Sequence, residues 1–202
     1  MNNQFFSAKN VALLGILVAL VVVLQLFASA IPMFGVTINL SLIPIALAGI
    51  MLGVLGGTIV GFTCGLVVFI TTAVMGAEPS TAFFFQAEPI ILTTMCIGKT
   101  TIAGLVSGLL FKLINKTDDA KRKVIAVFVS SFIIPVVNTG IYMLGIVLMR
   151  ESASTFLGLS SSNAGVVFVV VFGLIWLNFV LEIVITAILT PPIYRVIKIF
   201  KI

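Results

Sequence analysis

The chain has 202 residues, 61% of them hydrophobic and 8% charged, with a formal net charge of +5. Soluble domains carry about 25% charged residues, and a chain of mean hydropathy +1.35 cannot shield its apolar surface from water, so an integral membrane protein is expected. The basic excess sits beside the apolar runs rather than on one basic face, which argues against a nucleic-acid partner.

Each membrane span needs about 20 apolar residues. On that ruler the sequence predicts an all-α membrane protein, a six-transmembrane-helix bundle forming a single domain over 1–202. The helices are expected at about 10–30, 40–53, 57–75, 87–113, 124–149 and 164–195.

At the start, Lys9, the apolar run from Val11 and Ala28-Ser29-Ala30 imitate a signal peptide with its cleavage site. The run has span length and Pro32 follows the would-be site, so this segment is kept as the first helix. Along it, Ala8, Ala12, Gly15 and Ala19 are spaced four, three and four apart, a smooth stripe where another helix can approach. The connection 29–39 holds Pro32, Phe34 and Gly35. The short second helix has Asn39 and Ser41 as candidate caps and Pro44 in its opening turn. G-V-L-G-G at 53–57 is expected to be a hinge.

The connection 76–88 reads G-A-E-P-S-T-A-F-F-F-Q-A-E. Its three phenylalanines, Phe83, Phe84 and Phe85, are either an interfacial aromatic anchor or a lid over a ligand, with Gln86 offering an amide. The connection 150–163 is serine-rich and expected to be mobile.

Charge sets the orientation. Nine of the eleven Lys and Arg fall on one face of the predicted bundle: Lys9, Lys112, Lys116, Lys121, Arg122, Lys123, Arg195, Lys198 and Lys201. Arg150 stands on the other face with Glu78, Glu88 and Glu151. The positive-inside rule then places both termini in the cytoplasm.

The remaining basic residue, Lys99, lies near the centre of the fourth helix. A charge there costs roughly 2.5–3.5 kcal/mol on insertion scales, so it is expected to face a cavity or a partner. The bland alternative is that Lys99 neutralises a carboxylate for packing or snorkels to the interface. Thr93, Thr94, Thr100, Thr101 and Ser107 add hydroxyls to this helix, and Gly98, Gly104 and Gly108 are expected to let neighbours come close. Asn138 follows Pro135 in P-V-V-N-T-G, and Asn178, Glu182 and Thr186 fall four apart on one helical face. For the asparagines the alternative is a simple interhelical hydrogen bond. A mixed charged and amide cavity suits a small polar organic solute better than a bare ion, which calls for rows of acids or unwound carbonyls.

Nothing in the chain points to catalysis or to an energy source. Histidine is absent, which removes histidine metal ligands and bases. Cys64 and Cys96 lie in apolar runs as small buried hydrophobes. The phosphate loop G-x-x-x-x-G-K-[ST] is also absent. No cofactor, metal or catalytic residue is expected, and an importer of this kind needs an energising partner.

The helix 1 stripe, I-N-L-S-L-I-P-I-A-L-A-G at 38–49, the glycine-rich segment after it and P-V-V-N-T-G at 135–140 resemble a substrate-binding S-component of an energy-coupling-factor (ECF) vitamin transporter. The resemblance implies a subunit that captures a water-soluble vitamin from outside. It would dock through helix 1 on a transmembrane coupling protein carrying two ATPase subunits. The group includes pantothenate and riboflavin carriers. I-N-L-S-L-I-P lacks the acidic residue expected beside it in riboflavin carriers, and Lys99 suits a carboxylate, so pantothenate ranks first. The substrate-binding residues so expected are Asn39, Phe84, Gln86, Lys99, Asn138, Asn178 and Glu182. A different class, a non-transporting structural subunit, predicts instead that these polar residues tolerate apolar replacement.

Overall fold

The computed structural model describes residues 7–30, 39–116, 119–158 and 164–199, and all regular structure among them is helical. The connection with Pro32, Phe34 and Gly35, the serine-rich residues 159–163 and Lys201 lie outside the described residues. In chain order the helices are α1 (Ala8–Ala30), α2 (Leu42–Met51), α3 (Gly53–Val68, continued by a π-helical turn Phe69–Val74) and α4 (Pro79–Ala87). They are followed by α5 (Pro89–Ile114), α6 (Ala120–Leu148), α7 (Arg150–Phe156) and α8 (Ala164–Ile199).

Four segments are long and apolar enough to cross a membrane: Ala8–Ala28, Gly53–Val74, Pro89–Ile114 and Ala120–Leu148. The 36 residues of α8 have ample length as well. The ten residues of α2 do not: at about 1.5 Å per residue they reach about 15 Å, half of a hydrocarbon core of about 30 Å. Of the six expected spans, those of α1, α3, α5 and α6 are matched by length and composition among the described residues, and α2 is about half a span long. Helix α2 is a peg inside the bundle, apolar all round and buried on most of its surface, from Leu42 and Pro44 to Ile50. Ser41 makes no side-chain cap to it.

The segment expected to be a hinge divides into a turn at Gly53, between α2 and α3, and a packing seam that starts at Gly57 within α3. Gly53 alone turns the chain, at φ +73°, where a side chain would be strained. From there α3 runs antiparallel to α5 with backbone against backbone. A Cβ on Gly57 would strike the Gly104 carbonyl oxygen, and one on Gly104 would strike that of Gly57. A Cβ on Gly65 would stand 2.7 Å from Ile97 Cα, and one on Gly108 2.8 Å from Val54 Cα. Gly98, expected in the same role, has nothing within 4 Å of its Cβ position. Ile45 lies against Gly104 and Gly49 against Gly108, so α2 runs parallel to α5.

The hydroxyls of α5 are mostly satisfied locally rather than offered to a polar site. Thr94 and Thr101 donate to the carbonyls of Ile90 and Ile97 on their own helix, and Ser107 donates to Ser130 O at 2.8 Å. Helix starts follow ordinary chemistry: Pro79 and Pro89 sit in the first turns of α4 and α5, and Asp119 caps α6 by accepting from Lys121 N.

Two apolar clusters result. One, around Leu17, Ile45, Val60, Ala103, Val127 and Ile193, occupies the end where Lys9, Lys121, Arg122 and Lys123 gather. The other, around Phe84, Leu92, Met95, Ile146 and Met149, lies toward the end that carries Glu78, Glu88 and Glu151.

Candidate solute-binding cavity

Between the clusters is a cavity of about 190 Å³. A single water needs about 10–15 Å³ on this kind of measure, so the space suits an organic solute rather than a bare ion. Of the residues expected to bind solute, Asn39, Phe84, Lys99, Asn138, Asn178 and Glu182 line it. Gln86 does not: it is exposed on the outer side of α4.

One wall is cationic and aromatic. The Lys99 Nζ stands 4.8 Å from the centroid of the Tyr142 ring, a cation–π distance. Further polar surface comes from α6, which carries Asn138 one turn before Tyr142, and from α8. Asn178 and Glu182 are one helical turn apart, and Asn178 Nδ2 donates to Glu182 Oε1 at 3.3 Å. Glu182 is 2% exposed. Its Oε2, together with Asn138 Oδ1, Asn178 Oδ1 and Asn39 Oδ1, is buried without a hydrogen-bond partner. Unpaired buried acceptors are costly, and four of them around one cavity define a surface that asks for donors. Glu78 lies in the wall as well, accepting from Ser80 Oγ at 3.1 Å, so the cavity holds two carboxylates and one ammonium.

The cavity is capped by two short helices. Phe84 of α4, 5% exposed, and Phe156 of α7 both line it. Their ring centroids are 5.8 Å apart, and Phe83 joins them at 5.9 and 5.3 Å. Ser152 Oγ donates to Glu88 Oε1, which ties α7 to the junction of α4 and α5. Phe85 turns away to meet Phe69 edge-on at 5.2 Å. The triplet is therefore divided, with Phe84 inward and its neighbours packed around the cap. Of the segment expected to be mobile, 150–163, Arg150–Phe156 form helix α7, and 159–163 lie outside the described residues.

Sequence reasoning missed Gln25, Glu78, Tyr142 and Phe156 in the wall. Two of them carried a usable signal. Gln25 is the sole polar residue of an apolar run from Val11 to Ala28, and Tyr142 follows Asn138 by four, the same spacing that joined Asn178 to Glu182.

On the far side of α1, Ala8, Ala12, Gly15 and Ala19 are all exposed, and a Cβ on Gly15 would meet nothing within 4 Å.

A helical bundle with membrane-length apolar helices and a cavity lined by Lys99, Glu182 and several amides has the form of a membrane subunit able to hold a small solute. A family model described as ECF transporter, substrate-specific component, matches residues 9–194, and the chain belongs to that family. It is thus the substrate-binding subunit of a transporter, associated by family with an ECF module. No curated protein and no solved structure matches it.

Proposed function

We propose that this chain captures a water-soluble vitamin bearing a carboxylate at one end and hydroxyl or amide donors at the other, pantothenate being the candidate that fits best. The observation that carries the reading is the mixed lining of one cavity: Lys99 beside Tyr142, together with unpaired acceptors of Asn138, Asn178 and Glu182. The anionic end is accommodated only beside Lys99, because Glu78 and Glu182 repel it elsewhere. The hydroxyl and amide donors satisfy the acceptors. Phe84 and Phe156 close over the solute, leaving a mostly apolar pocket with a few placed polar groups.

The subunit is read as multi-pass, with its acidic, capped end outside and its basic end and both termini in the cytoplasm. Docking on a transmembrane coupling protein with two ATPases would use the exposed stripe Ala8, Ala12, Gly15 and Ala19. ATP hydrolysis belongs to those partners.

The test is a double comparison by calorimetry. Loss of a hydrogen bond to a charged group costs about 1.5–3 kcal/mol, so Lys99→Met is expected to weaken pantothenate binding roughly 10- to 100-fold. An analogue with the carboxylate converted to an amide should bind the parent poorly and lose little more in Lys99→Met. If acid and amide suffer equally, or neither does, Lys99 is structural and the assignment to pantothenate falls.

A further inference from the structure

The charged side chains of the cavity, Glu78, Lys99 and Glu182, come from different depths of the bundle. Helices α5 and α6 run antiparallel, with Met95 against Gly145 and Ser107 bonded to Ser130. On that register Lys99 is level with Tyr142, the ring its Nζ faces. Asn138, one turn before Tyr142, lies about 6 Å nearer the basic end, and it stands with Thr139 beside the Glu182 carboxylate. Glu78 lies the other way. Gly61 packs on Thr100 and Gly65 on Ile97, so Lys99 is level with that part of α3. From Gly65 to Val74 the chain climbs about 10 Å toward the capped end. It then reverses at Gly76, at φ +71°, and Glu78 is the residue before α4. Glutamate is not among the preferred residues for that position, and its side chain makes no cap to α4. The carboxylate is half-buried in the cavity wall instead. The ammonium of Lys99 is thus bracketed, with Glu78 on the capped side and Glu182 on the basic side.

We infer that Glu78 is a specificity-determining residue that, together with Glu182, limits the solute to one anionic group. A single carboxylate would balance Lys99; the second leaves the lining with an excess of negative charge before any solute arrives. An anionic group is held only at Lys99. A solute extended from there toward the cap meets Glu78, and one extended toward the basic end meets Glu182. A second anionic group is therefore repelled whichever way the solute lies. Two unit charges about 8 Å apart at an effective dielectric of about 20 repel by the equivalent of roughly 30-fold in affinity, and a phosphate monoester carries more than one charge. Carboxylic acids with neutral hydroxyl or amide groups are admitted, and phosphate esters of the same alcohols are excluded. A phosphoryl transfer onto the solute accordingly belongs after uptake. This deepens the proposed function and rests on its reading of Lys99 as the partner of the solute's anionic group.

Two measurements on the purified full-length subunit test this, and the first needs no solute. In a Cys64→Ala background the remaining thiol is Cys96, which lines the cavity. Its modification rates by anionic sulfonatoethyl and cationic trimethylammonioethyl methanethiosulfonate are compared. Glu78→Gln is expected to raise the anionic-to-cationic rate ratio about three- to tenfold, the scale of one partly screened charge. The second measurement is calorimetry with pantothenate and with the phosphate and acetate esters of its primary hydroxyl, the acetate adding bulk without charge. The parent should bind the phosphate ester roughly 30-fold or more below the acetate ester, and Glu78→Gln should shrink that gap about tenfold. A labelling ratio that Glu78→Gln leaves unchanged overturns the inference, as does a thiol that neither reagent reaches. So does a phosphate-to-acetate gap that is absent in the parent or the same in the variant. An acetate ester excluded as strongly as the phosphate makes the limit one of size and overturns it too. If the labelling ratio shifts as expected while the parent binds none of the three compounds, the assignment to pantothenate falls and the charge limit stands.

Discussion

The same arrangement of small residues occurs twice in this molecule with opposite consequences. On α3 and α5, Gly57 and Gly104 meet backbone to backbone, and neither has room for a methyl group. On α1, Gly15 sits among exposed alanines with nothing within 4 Å of its Cβ position. Spacing of small residues signals that something approaches closely. Whether that is the chain's own next helix or another molecule is decided by what else the helix carries. α1 has a separate buried edge to hold it, whereas the glycines of α3 belong to the buried face itself, together with Val60, Cys64 and Val68.

The largest effect is expected in the seam. Overpacking a core costs about 1–3 kcal/mol when side chains can shift rotamers. In Gly104→Leu the obstacle is the Gly57 carbonyl, which can move only if the two helices separate. The variant is expected to lose the folded, monodisperse species in detergent gel filtration. A variant that elutes as the parent does and keeps its thermal midpoint would show that α3 and α5 are less tightly joined than their geometry implies.

The matching substitution on the other surface should spare the fold. Gly15→Leu adds bulk where the bundle has none to displace, so folding and solute binding by the purified subunit are expected to stay at parent levels. Uptake by cells carrying the whole transporter should be abolished, because a partner helix can no longer approach. If binding and uptake fall together, the stripe packs inside the bundle in the working protein and the contrast between the two surfaces disappears.

Much of the cavity was legible because intramembrane polar residues are rare and expensive. Lys99, Asn138, Asn178 and Glu182 stood out from apolar runs for that reason, and all four line one space. What the residues could not convey was partnership. Thr94 and Thr101 look equally polar, yet their hydroxyls bond the preceding turn, an option open to threonine on any helix. Gln86 follows three phenylalanines, but α4 is a helix rather than an extended loop, and its rotation sends Phe84 inward and Gln86 out. Helix α2 carried enough apolar residues to suggest a membrane segment. Its shortness became decisive only once Gly53 was seen to break the run at positive φ. Phe156 could not have been found at all, since nothing in a serine-rich connection shows that it folds back over a distant Phe84.

The smallest effect tests the comparison from its third member. Gly98 lies on α5 beside Lys99, on the outward face that carries the exposed Ile102, Leu105 and Leu109, and its Cβ position is open. Glycine within a helix is less favourable than alanine by about 0.8–1.0 kcal/mol. With no contact to offset that difference, Gly98→Ala is expected to stabilise the subunit. For a chain of this size such a gain raises the thermal midpoint by about 2–4 °C, readable by differential scanning fluorimetry in detergent. Pantothenate binding should stay unchanged, because the added methyl meets neither Lys99's partner Tyr142 nor another helix. A lowered midpoint would mean that Gly98 is pressed by a neighbour after all, and that small residues on α5 form one continuous seam rather than a seam with an open outward face.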